Sequence, residues 1–391
     1  MRNKEITELA KANNKWDYKK VILLSFAVAI SVFVLFSVFT IAKGKIAVDT
    51  VKNIRESGSA ADGYLENAEK RQYDQMIYPD YIKDYGWEYS VGKWEQGGKI
   101  FASCKAVDQT VWKKMMLPAY DYVEGSYPKS ENDIMLSRRL LEQLGILEPK
   151  IGMKIPVRIL FKNWSVNGGE ALTEEFTLSG YYTDYINGAR YVPTAYFAEK
   201  YMDMKEIPRF PAKLVFTVKS KFFSRDQLEK RLYQDIELDN AQQQFTATDS
   251  SGLKSVTQFL GGYGAALVCS VILLFSVYLL IYNVLSISLG KDMNHFGLLM
   301  VVGLTRKQLK KMVLRQNMTI LLYGILGGGI FSTLVGIFVF QKLFENLFLK
   351  QCGKLQVQAV FYPQYLIGAA VVSGVMLLSA SKYILSKLKN I

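Results

Sequence analysis

The sequence predicts an α-helical membrane protein with four transmembrane helices plus an α+β extracytoplasmic domain inserted between spans one and two. Three observations predict it. Residues 21–42, 259–289, 317–340 and 360–381 contain no Asp, Glu, Lys or Arg, and each reaches the ~20 residues that cross a hydrocarbon core as a helix. The net charge of +13 sits beside those stretches. The 216 residues from 43 to 258 carry 30 basic and 30 acidic side chains, and their hydrophobic spacing changes between strand-like and helix-like periods.

Residues 1–20 place Ile6, Leu9, Ala10 and Asn13 on one helical face, with lysines around the rest. Trp16 and Tyr18 beside Lys19 and Lys20 match an aromatic belt with snorkelling cations. This predicts an amphipathic helix on the inner leaflet that turns into span one, 21–42. That span's apolar core exceeds the 7–15 residues of a signal peptide, and no A-x-A site follows it, so an uncleaved anchor is expected.

The extracytoplasmic domain, 43–258, mixes elements. Residues 130–146 read as a short strand entering a helix with Leu140, Leu141 and Leu144 inward and Gly145 at its end. Residues 150–161 and 174–185 read as strands, as do 212–220, followed by a helix over 224–236 capped by Ser224. Interleaved strands and helices favour α+β or α/β over an immunoglobulin-type sandwich. Span two, 259–289, is preceded by proline-free sequence from Leu253 with Lys254 its one charge. The whole is long enough to stand above the bilayer as a stalk, and Gly261, Gly262 and Gly264 could bend it.

Residues 290–316 carry six basic side chains and one acidic. Within "MNHFGLLMVVGLTRKQLKKMVLRQ" (293–316), Gly303 follows an apolar run, and Thr305 precedes a basic helix with Gln308 three residues on. That is a helix stop followed by a capping box. The expected form is a first helix over about 291–302 below the membrane, a tight turn, and a second helix from Arg306 presenting Leu309, Met312, Val313 and Gln316 on one side. Span three, 317–340, a short extracellular loop, 341–359, span four, 360–381, and a tail, 382–391, complete the chain. Gly324, Gly328, Gly336, Ala370 and Gly374 suit close helix approach, either within one subunit or between two.

Basic residues beside span ends stay in the cytoplasm, which puts both termini and 290–316 inside, and 43–258 and 341–359 outside. The charge thus faces a membrane, not nucleic acid. The spans hold no ionisable residue, against an ion-coupled transporter. No phosphate loop, G-x-S-x-G or H-E-x-x-H occurs, and the single histidine, His295, lies outside 43–258, which removes histidine-based triads from that domain. Three cysteines make no disulfide framework; only Cys104 and Cys352 would lie outside together. No enzyme activity, metal or cofactor is expected on this chain.

The stretch "FGLLMVVGLTRKQLKKMVLRQ" resembles the cytoplasmic signature loop of FtsX-like, MacB-type ABC permeases, an E/Y-G-L-L-x-x-x-G-x-T/S-[RK]-[RK]-Q-I pattern. Gly297, Leu298, Leu299, Gly303, Thr305, Arg306, Lys307 and Gln308 fall on its recurring positions. Arg315-Gln316 is similar to versions from Gram-positive Firmicutes, whereas His295 and Phe296 stand where charged or polar pairs are common, so no salt bridge is carried over there. "GSYPKSENDIMLSRRLLEQLGI…KIGMKI" (125–155) resembles part of a MacB-type outer domain. The resemblance implies a dimer of a separate cytoplasmic ABC ATPase that binds ATP and Mg. It also implies a second permease copy or a paralogous permease. Phe296, Gly297, Leu298, Leu299, Val302, Gly303 and Leu304 would insert into the ATPase, with Thr305, Arg306, Lys307 and Gln308 completing the coupling loop. The implied function is a plasma-membrane permease working by mechanotransmission, exporting or conferring resistance to peptides or other amphipathic substrates. The alternative is a non-transporting regulator that passes ATPase motion to an extracellular cell-wall hydrolase or a sensor kinase. A peptide substrate or an extracellular partner protein would meet the outer domain; its aromatics Trp87, Trp94, Trp112 and Trp164 fit either reading.

Overall fold

The computed structural model describes residues 3–161, 171–186, 192–219, 225–247, 264–348, 353 and 362–387. Two compact units emerge: residues 1–48, 259–348 and 354–391 form one, and 49–258 with 349–353 the other. Helix α1 (Asn3–Trp16) precedes α2 (Tyr18–Ser57). Charge reappears at Lys43, yet α2 continues without a break to Ser57 and stops before Gly58, which has φ +77. The onset of charge marks where a helix leaves hydrocarbon and carries no instruction to end it. At 40 residues α2 is about 60 Å long.

The second unit is built on one mixed sheet of ten strands among the described residues: β1 (Gly63–Ala68), β2 (Ile82–Gln96), β3 (Lys99–Val107), β4 (Asp121–Gly125), β5 (Asp133–Ser137), β6 (Lys154–Leu160), β7 (Ala171–Thr183), β8 (Thr194–Phe197), β9 (Ala212–Val218) and β10 (Gln244–Ala247). The order is β10-β1-β9-β2-β3-β8-β5-β7-β4, with β6 beside β2 and β7. All pairs are antiparallel except β3 with β8 and β5 with β7. Helices α3 (Lys70–Gln75), α4 (Gln109–Val111), α5 (Arg138–Gln143), α6 (Glu199–Met204) and α7 (Arg225–Asp235) accompany it, giving the expected α+β character. Ser137 Oγ accepts from the Leu140 amide at 3.2 Å to start α5, Leu140 and Leu141 are buried, and Gly145 follows with φ +79. Side chains of β6 alternate strictly between solvent and core, the period-two signal of a half-buried strand. The β2–β3 hairpin turns at Gly97-Gly98, both at positive φ; that Gly-Gly pair was its sequence signal. Ser224, Trp164, Cys352, Gly261 and Gly262 lie outside the described residues.

Three of the four tryptophans named above are placed by the structure inside this unit. Trp87, Trp94 and Trp112 are buried. Trp94 packs edge-on to Phe101, and Trp112 sits 4.7 Å from the Tyr127 ring and 5.3 Å from Tyr196. They are core of the sheet unit. One buried ion pair accompanies them: Lys105 Nζ donates to Glu88 Oε1 at 2.8 Å. Burial works to raise the Glu88 carboxyl, and the Lys105 and Lys213 ammonium charges overcome it, so the pKa falls below the usual glutamate value.

In the first unit, α8 (Gly264–Val301), α9 (Arg306–Val335) and α11 (Pro363–Lys387) join α2, with a π turn Gly336–Phe340 leading from α9 into α10 (Gln341–Phe348). The segment 341–359, expected as a loop, therefore begins as helix. Among the described residues, three helical segments are long and apolar enough to cross a membrane, Tyr18–Ser57, Arg306–Leu343 and Pro363–Lys382, and α8 contains the shorter apolar stretch Val271–Asn283. Leu24, Ala27 and Val28 of α2, Ile281 of α8, Ile320 of α9, and Leu377 and Ala380 of α11 meet in one core. Two hydroxyl contacts tie this unit: Ser31 Oγ to Ser373 Oγ at 2.9 Å, and Asn317 Nδ2 donating to Ser381 Oγ at 2.7 Å. Gly324 and Gly328 lie against α2. A Cβ on Gly324 would meet Val28 at 2.6 Å, and one on Gly328 would meet the Ala29 carbonyl oxygen at 2.7 Å. The glycine spacing thus serves contacts inside this chain.

Candidate functional site: the hairpin at Gly303

Helix α8 does not pause at residue 290. It runs through 38 residues to Val301, so the separate helix expected over 291–302 is the end of a single rod. No proline or glycine pair falls at the expected break; Gly290 stands alone, and a lone glycine weakens a helix by only about 1 kcal/mol.

The end of α8 is a Schellman turn. The Leu304 amide donates to the Leu299 carbonyl at 3.0 Å, and the Gly303 amide to Met300 at 3.0 Å. Gly303 adopts φ +101, a conformation that an L side chain resists. Nothing lies within 4 Å of where its Cβ would be, so backbone geometry alone calls for glycine. The next helix starts at once. Thr305 Oγ1 accepts from the Gln308 amide at 3.4 Å, and Gln308 Oε1 accepts from the Thr305 amide at 2.9 Å, the reciprocal capping box expected from Thr-x-x-Gln.

The residues singled out in the sequence separate by their surroundings. Leu298 and Val302 are 66% and 82% exposed, and Val301, absent from the sequence-based set, is 86% exposed. Spaced i, i+3 and i+4, they share one helical face. Leu299 instead packs against the cluster of Ile6, Ala10, Leu309, Met312 and Val313. Thr305 and Gln308 are spent on the cap. Gly297 and Leu304 are half-buried, and the side chain of Phe296 lies outside the described residues. In a run reading Leu-Leu-Met-Val-Val, composition could not rank 298, 301 and 302 over 299; the three-four spacing was the available signal.

Arg306 and Lys307 are exposed and occupy the first turn of α9, which holds no acidic residue. The positive end of the helix dipole disfavours cations there by roughly 0.3–1 kcal/mol each. Their placement is locally unfavourable, which suits a surface that meets negative charge.

The second helix presents Leu309, Met312, Val313 and Gln316 inward, as its periodicity required. They face protein: α1 lays Ile6 and Ala10 on Leu309, Met312 and Val313. The expectation that α1's apolar face rests on lipid is thereby corrected. An amphipathic pattern states that one face is buried without stating against what. Trp16, 88% exposed, and Tyr18 remain outward at the end of α1.

No curated protein matches the chain. Among solved structures it is similar to the periplasmic region of MacB from Actinobacillus actinomycetemcomitans, at 10% identity and a TM-score of 0.32, covering 54% of this chain and 95% of that one. It is also similar to the extracellular domain of the noncanonic ABC-type transporter YknZ from Gram-positive bacteria, at 7% identity and a TM-score of 0.27, covering 48% and 99%. Neither score reaches the level at which a shared fold follows. Residues 267–391 match the family described as FtsX-like permease C-terminal. That stretch takes in nearly all of α8, the turn at Gly303, and α9 to α11, so the C-terminal third of this chain is similar to that of FtsX-like permeases.

Proposed function

We propose that this chain is the permease subunit of an ATP-driven ABC-type system, and that the hairpin at Gly303 is where a separate cytoplasmic ATPase dimer grips it. The observation that carries the reading is the exposed face of Leu298, Val301 and Val302 at the tip of a turn locked by glycine and a capping box. An apolar knob rimmed by Arg306 and Lys307 has the composition of a docking surface, apolar at its centre and charged at its rim. The family match supports an ABC permease role and with it an ATPase partner in a membrane setting.

In this reading four helices span the membrane, α8 among them. The hairpin and both termini face the cytoplasm, by the excess of basic residues at 1–20, 290–316 and 382–391, and the sheet unit faces outward. ATP and Mg are bound by the partner, and closure of its two halves pushes the tip, moving the membrane helices and reshaping the outer unit. A second permease, identical or paralogous, completes the complex. The work done outside is export of, or resistance to, peptides or other amphipathic molecules.

A Val302→Cys variant with the native cysteines replaced by serine tests the placement. A membrane-impermeant maleimide is expected to label it only after the cells are permeabilised, and an ATPase to accompany the protein from native membranes. Labelling in intact cells would end the proposal. Peptide sensitivity after deletion, with normal cell shape, is the outcome expected of an exporter; altered septation with unchanged peptide tolerance would place the work on a cell-wall partner instead.

A further inference from the structure

In a two-helix hairpin joined by one tight turn, the angle between the arms is the softest coordinate left. Here a third helix, α1, packs on one arm, at a cluster that a residue of the other arm joins. Ile6 and Ala10 of α1, each 3% exposed, pack on Leu309, Met312 and Val313 of α9, while Leu299 of α8 and Leu9 of α1 pack on the same cluster. Two polar contacts lie alongside: the Arg315 guanidinium donates to Thr7 Oγ1, and Asn14 Nδ2 donates to the Gln316 carbonyl oxygen at 3.5 Å. With 14 residues, α1 is near the limit below which an isolated helix is marginal in water, so this packing also holds it helical.

We propose that α1 is a brace that sets the hairpin angle, with Ile6 and Ala10 as positioning residues for the coupling surface. The inference rests on the proposed function in that the braced tip is taken to meet an ATPase. Its chemistry is distinct from the tip's: α1 packs on the inward face of α9, at the cluster Leu299 of α8 joins, and Leu298, Val301 and Val302 remain exposed. Displacing α1 therefore leaves the docking face present and removes the support behind it, so a push on the tip opens the hairpin instead of moving the long helices.

The test uses the full chain purified with its ATPase and placed in lipid nanodiscs. Ile6→Asp is expected to lower kcat for ATP hydrolysis by roughly tenfold while KM for ATP and recovery of the ATPase stay as in the parent, a split that separates a lost transmission step from lost binding. Ile6→Val is expected to restore the parent value. An Ile6→Cys/Met312→Cys pair, cross-linked in a background without native cysteines, is expected to remain active, because a brace that never leaves tolerates being locked. Full kcat in Ile6→Asp, inactivation by the cross-link, or failure of the pair to cross-link would each overturn the brace. Absence of any ATPase with the parent chain would overturn the proposed function itself, and the cross-link would still report where α1 lies.

Discussion

Replacing Val301 and Val302 together by Asp perturbs the tip without touching what holds it. Val301 is 86% and Val302 82% exposed, so the folded chain on its own gains little from either. Surface substitutions of this kind stay within about 0.5 kcal/mol of the parent stability. A partner that covers them gains far more. Full burial of a valine contributes about 1.5–3 kcal/mol, and two side chains roughly half covered supply on the order of 2–3 kcal/mol by the same measure. At 1.4 kcal/mol per tenfold, losing that much weakens binding by roughly 30- to 100-fold. The assay pairs ATPase recovery during affinity purification, or a Kd in detergent, with a thermal melt of the same sample. The expected result is a large loss of ATPase with the Tm unchanged within a degree or two. Val301→Thr/Val302→Thr keeps the shape without the charge and should fall between. Leu299→Asp should behave differently, because Leu299 packs on the α1–α9 cluster; it is expected to lower the Tm. Undiminished recovery of the ATPase by the double Asp variant would refute the docking surface, and a collapsed Tm would refute the exposure of the two valines.

Gly328→Ala puts a methyl group 2.7 Å from the Ala29 carbonyl oxygen and 2.9 Å from its Cα, and overpacking of this kind costs about 1–3 kcal/mol; a melt should show a clear loss, whereas Gly327→Ala, with nothing within 4 Å, should match the parent or exceed it. Gly303→Ala has open space around it and must still adopt φ +101, a penalty of about 1–2 kcal/mol for the left-handed backbone; Gly303→Asn should recover part of the lost ATPase binding, read in the same purification. The Glu88 carboxyl has a pKa in the folded chain below its ordinary value, so its pairing stabilises the protein above that ordinary value and the contribution disappears as pH falls through the folded value. Glu88→Gln should accordingly lower the Tm at neutral pH, where a hydrogen bond to a charged partner is worth about 1.5–3 kcal/mol, and flatten the drop on acidification; an acid limb as steep as the parent's would count against it.

What could be read from residues alone divides along a physical line. Signals carried by a few neighbours were legible: Thr305 with Gln308, Gly303 at a helix end, Gly145 after the helix of Leu140 and Leu141, and the inward face of Leu309, Met312, Val313 and Gln316 all depend on local bonding or a 3.6-residue period. What a buried face meets is not a local property. Ile6, Leu9 and Ala10 announce an apolar stripe equally well for lipid or for α9, which lies about 300 residues on in the chain. The tryptophans of the sheet unit illustrate the same gap, since Trp94 and Trp112 need sheet partners from distant sequence before they read as core. Helix continuation was missed for a third reason. Charge at Lys43 and at Lys291 marks a change of solvent, and a helix crosses such a boundary freely unless a Gly, Pro or cap ends it.

Continuity at residue 290 changes the mechanics available to the hairpin. An interfacial helix hinged to a span could swing while the span stood still. A single α8 of 38 residues, about 57 Å at 1.5 Å per residue, has no such joint among its described residues. Its connection to α9 is four residues, Val302 to Thr305, held by two Schellman bonds on one side and a reciprocal cap on the other. The soft coordinate left to this pair of rods is the angle at the turn, and the cluster of α1 on α9 is where Leu299 of α8 joins them. A displacement applied at Val301 and Val302 is therefore passed to α8 and α9 together so long as Ile6 and Ala10 keep their seats on Leu309, Met312 and Val313. Stiffness of this kind comes from how the three helices are tied, and any one tie, Gly303, the Thr305 cap or the α1 contact, is enough to loosen it.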